Sequence, residues 1–510
     1  MEQGSANQGS GAATRTSPYT GAGYLESLRD GRNVYIDGER VKDVTSHPAF
    51  RNSARSIARM YDALHTPETR DVLTTTTDSG NGRTHRFFKP ARSVEDMVAQ
   101  REAIATWSRL NYGWLGRSPD FKAALTNTFG ANAEYYGDYA PNARAWYRKA
   151  HETVPFINHA IVNPPVDRGR SAKEVEDVYV SVTKETDAGI YVSGAKVVAT
   201  GAALTQWNFV GQSGTTATEE DGMAVMFFLP VGAPGCKLIC RPSYEAIAAR
   251  QSPFDYPLSS RFDENDAIFV LDNAFVPWED VIVYRDVDRV KRFYGDSGFL
   301  QGFSLQACTR YAVKLDFMGG LVARALRVTG GDAFRGNQVL LAEIVMLSNM
   351  FWSFTDAMIG QPARWGDGAL LPNLRAAVAY RAHAPAAFAK VREIVQKIIA
   401  SSLIYLPSSI RDVLNPEIAP YLERYLRGSG GIGHLERIKV MKLLWDAVGT
   451  EFAGRHELYE RNYAGNHEEV RLQGFGMLQK NGLWKQAEEL VDTCLNDYDE
   501  KGWTSDSWVS

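Results

Sequence analysis

The chain has 510 residues, 44% hydrophobic and 11% aromatic, which is apolar surface enough for two or three packed units. Its 56 Lys and Arg against 60 Asp and Glu give a net charge of −4 with no block of one sign, which excludes the electrostatic footprint of a nucleic-acid binder or an anionic-membrane binder. No apolar run approaches the roughly 20 residues of a membrane helix, and four scattered cysteines make no disulfide framework, so a cytoplasmic protein without membrane or nucleic-acid partners is expected.

Residues 1–20, rich in Gly, Ser, Ala and Thr, lack the layout of a signal peptide and bury too little surface to offset ordering entropy. They read as a disordered tail. Residues 21–158 form a mostly helical, aromatic-rich unit, with helices over 53–64 and 94–112. Another helix begins at Pro119, capped by Ser118. Over 159–290 the apolar period changes to two. Val178, Val180 and Val182 alternate with polar neighbours, Asp187-Ala188-Gly189 supplies a turn, and Ile190, Val192 and 196–199 return as a second strand. Residues 223–229 and 267–271 read as more buried strands. Over 291–510 helical stripes return, at Leu340, Ile344, Leu347, Phe351 and Phe354, and at Val391, Ile394, Val395, Ile398 and Ile399. Such stripes suit a bundle, and they would equally suit partner subunits.

Helical domain, β domain, helical bundle is the order of the acyl-CoA dehydrogenase-like fold. It predicts a mainly α, α+β chain with a β-barrel in the middle, although order alone is an analogy.

Several motifs lead nowhere. Gly428-Ser429-Gly430-Gly431-Ile432-Gly433 fits a dinucleotide fingerprint, but the segment before it looks helical, so a glycine turn between helices is the better reading. Cys236 and Cys240 have metal-compatible spacing but sit in a strand-like run without further ligands; core packing and no metal are expected. The serines of 405–409 have no base beside them.

Three segments carry more chemistry. In Gly-Arg-Ser-Pro-Asp-Phe (116–121), Arg117 stands just before a helix start, where exposed N–H groups favour an anionic oxygen. An arginine in a turn is nevertheless more often simply solvated. The run 156–168 is apolar, contains His159 and ends in the rigid corner Pro164-Pro165. A lone histidine there is more often a core residue. Residues 455–466 read as a helix stopped at a turn containing Gly465.

With Tyr-Leu-Glu-Ser-Leu-Arg-Asp-Gly-Arg (24–32), Gly-Ala-Lys-Val-Val-Ala-Thr (194–200), Tyr-Pro-Leu-Ser-Ser-Arg-Phe-Asp-Glu-Asn-Asp (256–266) and Gly-Arg-His-Glu-Leu-Tyr-Glu (454–460), these segments make the sequence recognisable. From about Tyr24 to Trp503 it resembles the large, oxygenase component of 4-hydroxyphenylacetate 3-monooxygenase and its relatives acting on coumarate, tyrosine and simple phenols. The resemblance overturns both bland readings of Arg117 and His159, which match the pair that grips the substrate's phenolic oxygen in that family. It implies that His159, Ala160, Ile161, Pro165, Val166, Asp167, Arg168, Thr200, Tyr463, Ala464, Gly465 and Asn466 line FAD, and that Ser213 and Gly214 meet the far end of the substrate. Residue 121, commonly a tyrosine that donates to the phenol, is Phe121 here, so one donor is missing. The implied reaction uses reduced FAD and O2. It forms a flavin C4a-hydroperoxide and hydroxylates a phenol ortho to its OH, giving a catechol. The implied partners are a separate NAD(P)H:flavin reductase and further copies of the chain, as a homodimer or homotetramer. Two alternatives share the fold. An acyl-CoA dehydrogenase is disfavoured by the absence of its motifs. A hydroxyacyl-CoA dehydratase is disfavoured because every cysteine lies at or beyond position 236, leaving none in the N-terminal domain for a cluster.

Overall fold

The computed structural model describes residues 17–167, 169–212, 220–505 and 507. Most of the expected tail, together with Arg168, Ser213 and Gly214, therefore lies outside the described residues.

The N-terminal third packs Arg51–Ala63, Val94–Arg109, Ala123–Ala131 and Ala140–Thr153 around buried Tyr61, Trp107 and Trp146. Val94–Arg109 opens with a capping box in which Ser93 and Asp96 satisfy each other's backbone N–H groups. The segment after Ser118 departs from expectation. Pro119–Phe121 is a single 3-10 turn, and the α-helix starts only at Ala123. Ser118 caps no backbone N–H; its hydroxyl donates to the Asp120 carboxylate instead.

The middle of the chain forms two sheets, and among the described residues their pairings close no barrel. Six strands run in the order Glu39–Val41, Val34–Ile36, Cys236–Cys240, Asp266–Pro277, Gly189–Thr200, Ser181–Thr186. The other sheet runs Val281–Tyr284, Val225–Pro230, Trp207–Val210, Ile157–Ala160, its second strand buried on both faces. A bridge between Val162 and Val197 links them. The larger sheet borrows two strands from the N-terminal zone, because Val34 pairs in parallel with Leu238 across some two hundred residues of chain.

The C-terminal bundle is built on Phe299–Thr329, a 31-residue helix buried along most of its length. It packs against Arg335–Gly360, Leu374–Ile398 and His434–Val448 of the bundle and against Val94–Arg109 and Ala123–Ala131 of the N-terminal third. The Gly428–Gly433 stretch joins helices Ala419–Tyr425 and His434–Val448, with Gly430 and Gly431 at positive φ, as a glycine turn requires. Arg335–Gly360 differs from expectation: by length and composition it is apolar enough to cross a membrane. Here one stripe, Ile344, Ser348, Phe351, Thr355 and Met358, is buried, while Val339, Val345 and Met346 are exposed.

Candidate functional site

Arg117 is held from three directions. A Cβ on Gly116 would fall 2.2 Å from the Tyr459 hydroxyl, so only glycine lets the chain pass beneath that ring. The Arg117 N–H donates to Glu264 Oε1 at 2.6 Å. Glu264 is ion-paired with Arg455, and Arg455 with Asp266 at 2.7 Å, so residues 263–266 form a charged anchor. Glu264 thus satisfies the backbone N–H of Arg117 itself, and what Arg117 offers a ligand is its side chain. The guanidinium has no carboxylate partner among the described residues. It lies 4.0 Å from the Phe121 ring centre and 4.2 Å from that of Tyr463. An unpaired cation held between aromatic faces attracts an anionic oxygen strongly, because little water competes for it.

His159 lies on Ile157–Ala160, where parallel pairing sets it opposite Phe209. Its ring centre is 5.3 Å from that of Phe121, the ring on which Arg117 also lies. Lys122 completes the group. Fully buried, it brings Nζ to 2.5 Å from His159 Nδ1 and lies over the rings of Phe209 and Phe299. Burial and the Arg117 charge hold the Lys122 amine well below the usual lysine range. Burial, Lys122 and Arg117 likewise hold the His159 imidazole well below its ordinary value. Both shifts favour the uncharged forms. Asp120 turns elsewhere: its carboxylate accepts from Ser118 and, at 3.2 Å, from Gln306, and burial pushes its pKa up to about 6. Gln306 in turn accepts from the Tyr463 hydroxyl at 3.3 Å.

The other expected residues surround this cluster unevenly. The Ile161 carbonyl accepts from buried Lys196, which also bonds Asn163 at 2.7 Å and Gln212 at 2.9 Å, and which burial pushes down to about 7. Ala160 is buried at the strand end, whereas Pro165, Val166 and Asp167 are exposed. Thr200 is buried and donates to Asp266. Two residues before it, Val198 is exposed at φ +55°, a left-handed conformation costing a β-branched residue about 1–3 kcal/mol. Tyr463 to Asn466 form the turn after Glu451–Asn462, with Gly465 at φ +115°. The Ala464 carbonyl accepts from Arg381 at 2.8 Å, and Asn466 caps the next helix.

Arg381 Nη1 and the Tyr294 hydroxyl are buried without a partner among the described residues. The charges of Arg117 and Arg381 both reach Tyr294. Unmet donors at Arg381, beside the 463–466 turn, and at Tyr294 fit the polar edge of a flavin ring. Lys122, Glu264, Arg381 and Tyr294 were missed in the sequence. Only Glu264 carried a signal, through its place in the 256–266 motif. A cavity lined by Phe87, Met97, Gln100, Asn127, Leu305 and Leu371 contains none of the site residues.

Family models of 4-hydroxyphenylacetate 3-hydroxylase match the chain twice, the N-terminal one over residues 20–283 and the C-terminal one over 290–496. The chain is 54% identical over 495 residues to the 4-hydroxyphenylacetate 3-monooxygenase oxygenase component of Pseudomonas aeruginosa, covering 96% of this chain and 95% of that protein. It is also 54% identical over 489 residues to the oxygenase component of 4-nitrophenol 2-monooxygenase from a Rhodococcus species, covering 96% and 94%. A crystal structure of a 4-hydroxyphenylacetate 3-monooxygenase oxygenase component, complexed with FAD and 4-hydroxyphenylacetate, matches with a TM-score of 0.87 at 32% identity, over 94% of this chain and 98% of that one.

Proposed function

The chain belongs to the 4-hydroxyphenylacetate 3-hydroxylase family and is an FAD-dependent phenol monooxygenase, and on that premise we propose that Arg117 and His159 grip the phenolic oxygen of its substrate. The observation that carries this reading is the Arg117 guanidinium, without a carboxylate partner among the described residues, and the His159 ring, held uncharged by burial and its neighbours, both set against Phe121.

Reduced FAD supplies the electrons and the activated oxygen when it is bound; the protein's part is to make the ring attack. Arg117 stabilises negative charge on the phenolic oxygen, and His159 accepts its hydrogen bond. As the O–H bond polarises, electron density rises at the ortho carbon, which is where hydroxylation then falls. Phe121, Phe299, Phe303 and Tyr463 wall the position and keep water from competing for the oxygen. His159, Ala160, Ile161, Pro165 to Arg168, Thr200 and Tyr463 to Asn466 are assigned to the flavin, and Ser213 and Gly214 to the far end of the substrate. The substrate is a phenol of the 4-hydroxyphenylacetate, coumarate, tyrosine or simple phenol type, polarised here by two groups because Phe121 cannot donate. A separate NAD(P)H:flavin reductase supplies the reduced flavin, and its need for NAD(P)H favours the cytoplasm. The exposed apolar residues of Arg335–Gly360 support assembly into a homodimer or homotetramer.

The test combines the chain with FAD, NADH, a separate flavin reductase and 4-hydroxyphenylacetate or another phenol. A catechol is expected only when the reductase is present, and His159→Ala lowers its yield by about tenfold or more. Rapid NADH oxidation by the pure chain would overturn the two-component reading.

A further inference from the structure

The mechanism above leaves Lys122 without a task, although it is the most enclosed base at the site. It sits where the Pro119–Phe121 turn passes into the helix Ala123–Ala131. At 2.5 Å only one hydrogen fits between Lys122 Nζ and His159 Nδ1, so one nitrogen donates and the other accepts. Among the described residues no carboxylate joins them. From its own turn Lys122 is faced by Arg117 and from the strand Ile157–Ala160 by His159; Trp207–Val210 and Phe299–Thr329 contribute the rings of Phe209 and Phe299. The Asp120 carboxylate is directed at Ser118 and Gln306.

Arg117 can stabilise a phenolate but cannot take its proton, because a guanidinium is always charged. His159 alone would become an imidazolium beside Arg117, which that charge disfavours. With its Nδ1 side occupied by Lys122, its Nε2 side is the one left for a ligand. Accepting that Arg117 and His159 hold the phenolic oxygen, we infer that Lys122 is the proton reservoir of the site, taking the phenol's proton through the His159 ring. The phenolic O–H bond breaks and an N–H bond forms at His159 Nε2. The Nδ1–H bond breaks and a third N–H bond forms at Lys122 Nζ. The oxygen keeps its electron pair, so a neutral phenol, imidazole and amine become a phenolate, a neutral imidazole and an ammonium. No electron is transferred and no net charge enters the site. The ammonium is then stabilised by the faces of Phe209 and Phe299 and by the phenolate it has created. Lys122 acts through His159 and is a positioning and proton-holding residue, not one that touches substrate.

The test uses the full chain and 4-nitrophenol, whose phenolate is coloured, at a pH where the free ligand is neutral. The wild type is expected to bind it as coloured phenolate while releasing no proton to the buffer, measured by calorimetry in buffers of different ionisation enthalpy. In Lys122→Met the phenolate absorbance per bound ligand falls by about tenfold or more, the equilibrium equivalent of one pKa unit, or the colour returns only with release of one proton per site. Met preserves the side chain's volume without its charge, so the thermal unfolding temperature is expected to hold or rise. Equal colour and equal proton release in both proteins would overturn the inference, as would a colourless wild-type complex. If binding is indifferent to Arg117→Met, the phenol site itself has been misplaced, which separates failure of the underlying reading from failure of the reservoir.

Discussion

Two groups of basic side chains lie against the Tyr463 ring, and they are built in opposite ways. Arg310 and Lys314 converge on one carboxylate, Glu460, at 2.9 Å from Lys314 Nζ and from Arg310 Nη2. All three are almost wholly buried, and the two cations hold the Glu460 carboxyl down at about 2. In the other group Arg117, Lys122 and His159 gather with no carboxylate ion-paired to their side chains among the described residues. The matched cluster has a shared counter-charge in Glu460 and ties Phe299–Thr329 to Glu451–Asn462. The unmatched one is the arrangement that an anion formed during reaction would complete. The lesson is that burial of charge marks no function by itself; the missing counter-charge does.

The largest effect is expected from breaking the matched cluster. Glu460→Gln leaves two buried cations without their partner, a loss of about 3–5 kcal/mol, seen as a large drop in the thermal unfolding temperature. Acid probes the same group. Its folded pKa lies below the ordinary glutamate value of 4.5, so its stabilisation is whole above pH 4.5 and is lost as pH falls toward about 2. Unfolding followed against pH should show that loss in the wild type and not in Glu460→Gln.

The unmatched cluster should respond in the opposite sense. Arg117→Met removes a half-buried charge that has no carboxylate partner among the described residues, so the unfolding temperature is expected to hold or rise while catechol formation falls by tenfold or more. That corresponds to about 1.5–3 kcal/mol for a charge-assisted hydrogen bond. Reduced flavin is still consumed, and hydrogen peroxide accumulates in place of catechol. A marked stability loss in this variant would erase the distinction between the clusters.

The smallest effect concerns Phe121, which lies 4.0 Å from the Arg117 guanidinium carbon. Phe121→Tyr adds at most one hydrogen bond to the phenol, about 0.5–1.5 kcal/mol. It should shift relative rates between a simple phenol and a more acidic or bulkier one by about three- to tenfold, with attack still ortho. Identical product ratios in a competition assay would show that residue 121 does not face the phenolic oxygen.

Local signals were legible in the sequence, and non-local ones were not. The helix expected over 53–64 appears as Arg51–Ala63, and the alternating residues near 180–199 appear as paired strands, because a period of 3.6 or 2 is written in neighbouring residues. The pairing of Val34 with Leu238 could not be read, since a three-residue strand has no period to detect. Nor was the single 3-10 turn at Pro119, whose Ser118 prefers the Asp120 carboxylate to a backbone cap. Arg117 and His159 stood out only as members of matching motifs. Lys122 follows Phe121 directly and was overlooked, because a lysine in a polar-looking turn normally reaches water. Its burial is imposed by Phe209 and Phe299, far away along the chain.

The close passage of Gly116 beneath Tyr459, with Tyr463 contacting the Gly116 carbonyl, sets a timetable for biosynthesis. These partners are separated by 347 residues. At a translation rate of about 5–20 residues per second, the Arg117 turn leaves the ribosome roughly 20–70 s before the helix that covers it exists. Throughout that interval Arg117, Lys122 and the surrounding phenyl rings lack their lid. The nascent chain must be carried by its N-terminal helices or by chaperones until the last quarter arrives, so a ribosome stalled before residue 463 would yield a chain with a folded front and an open, adhesive wound where the site belongs.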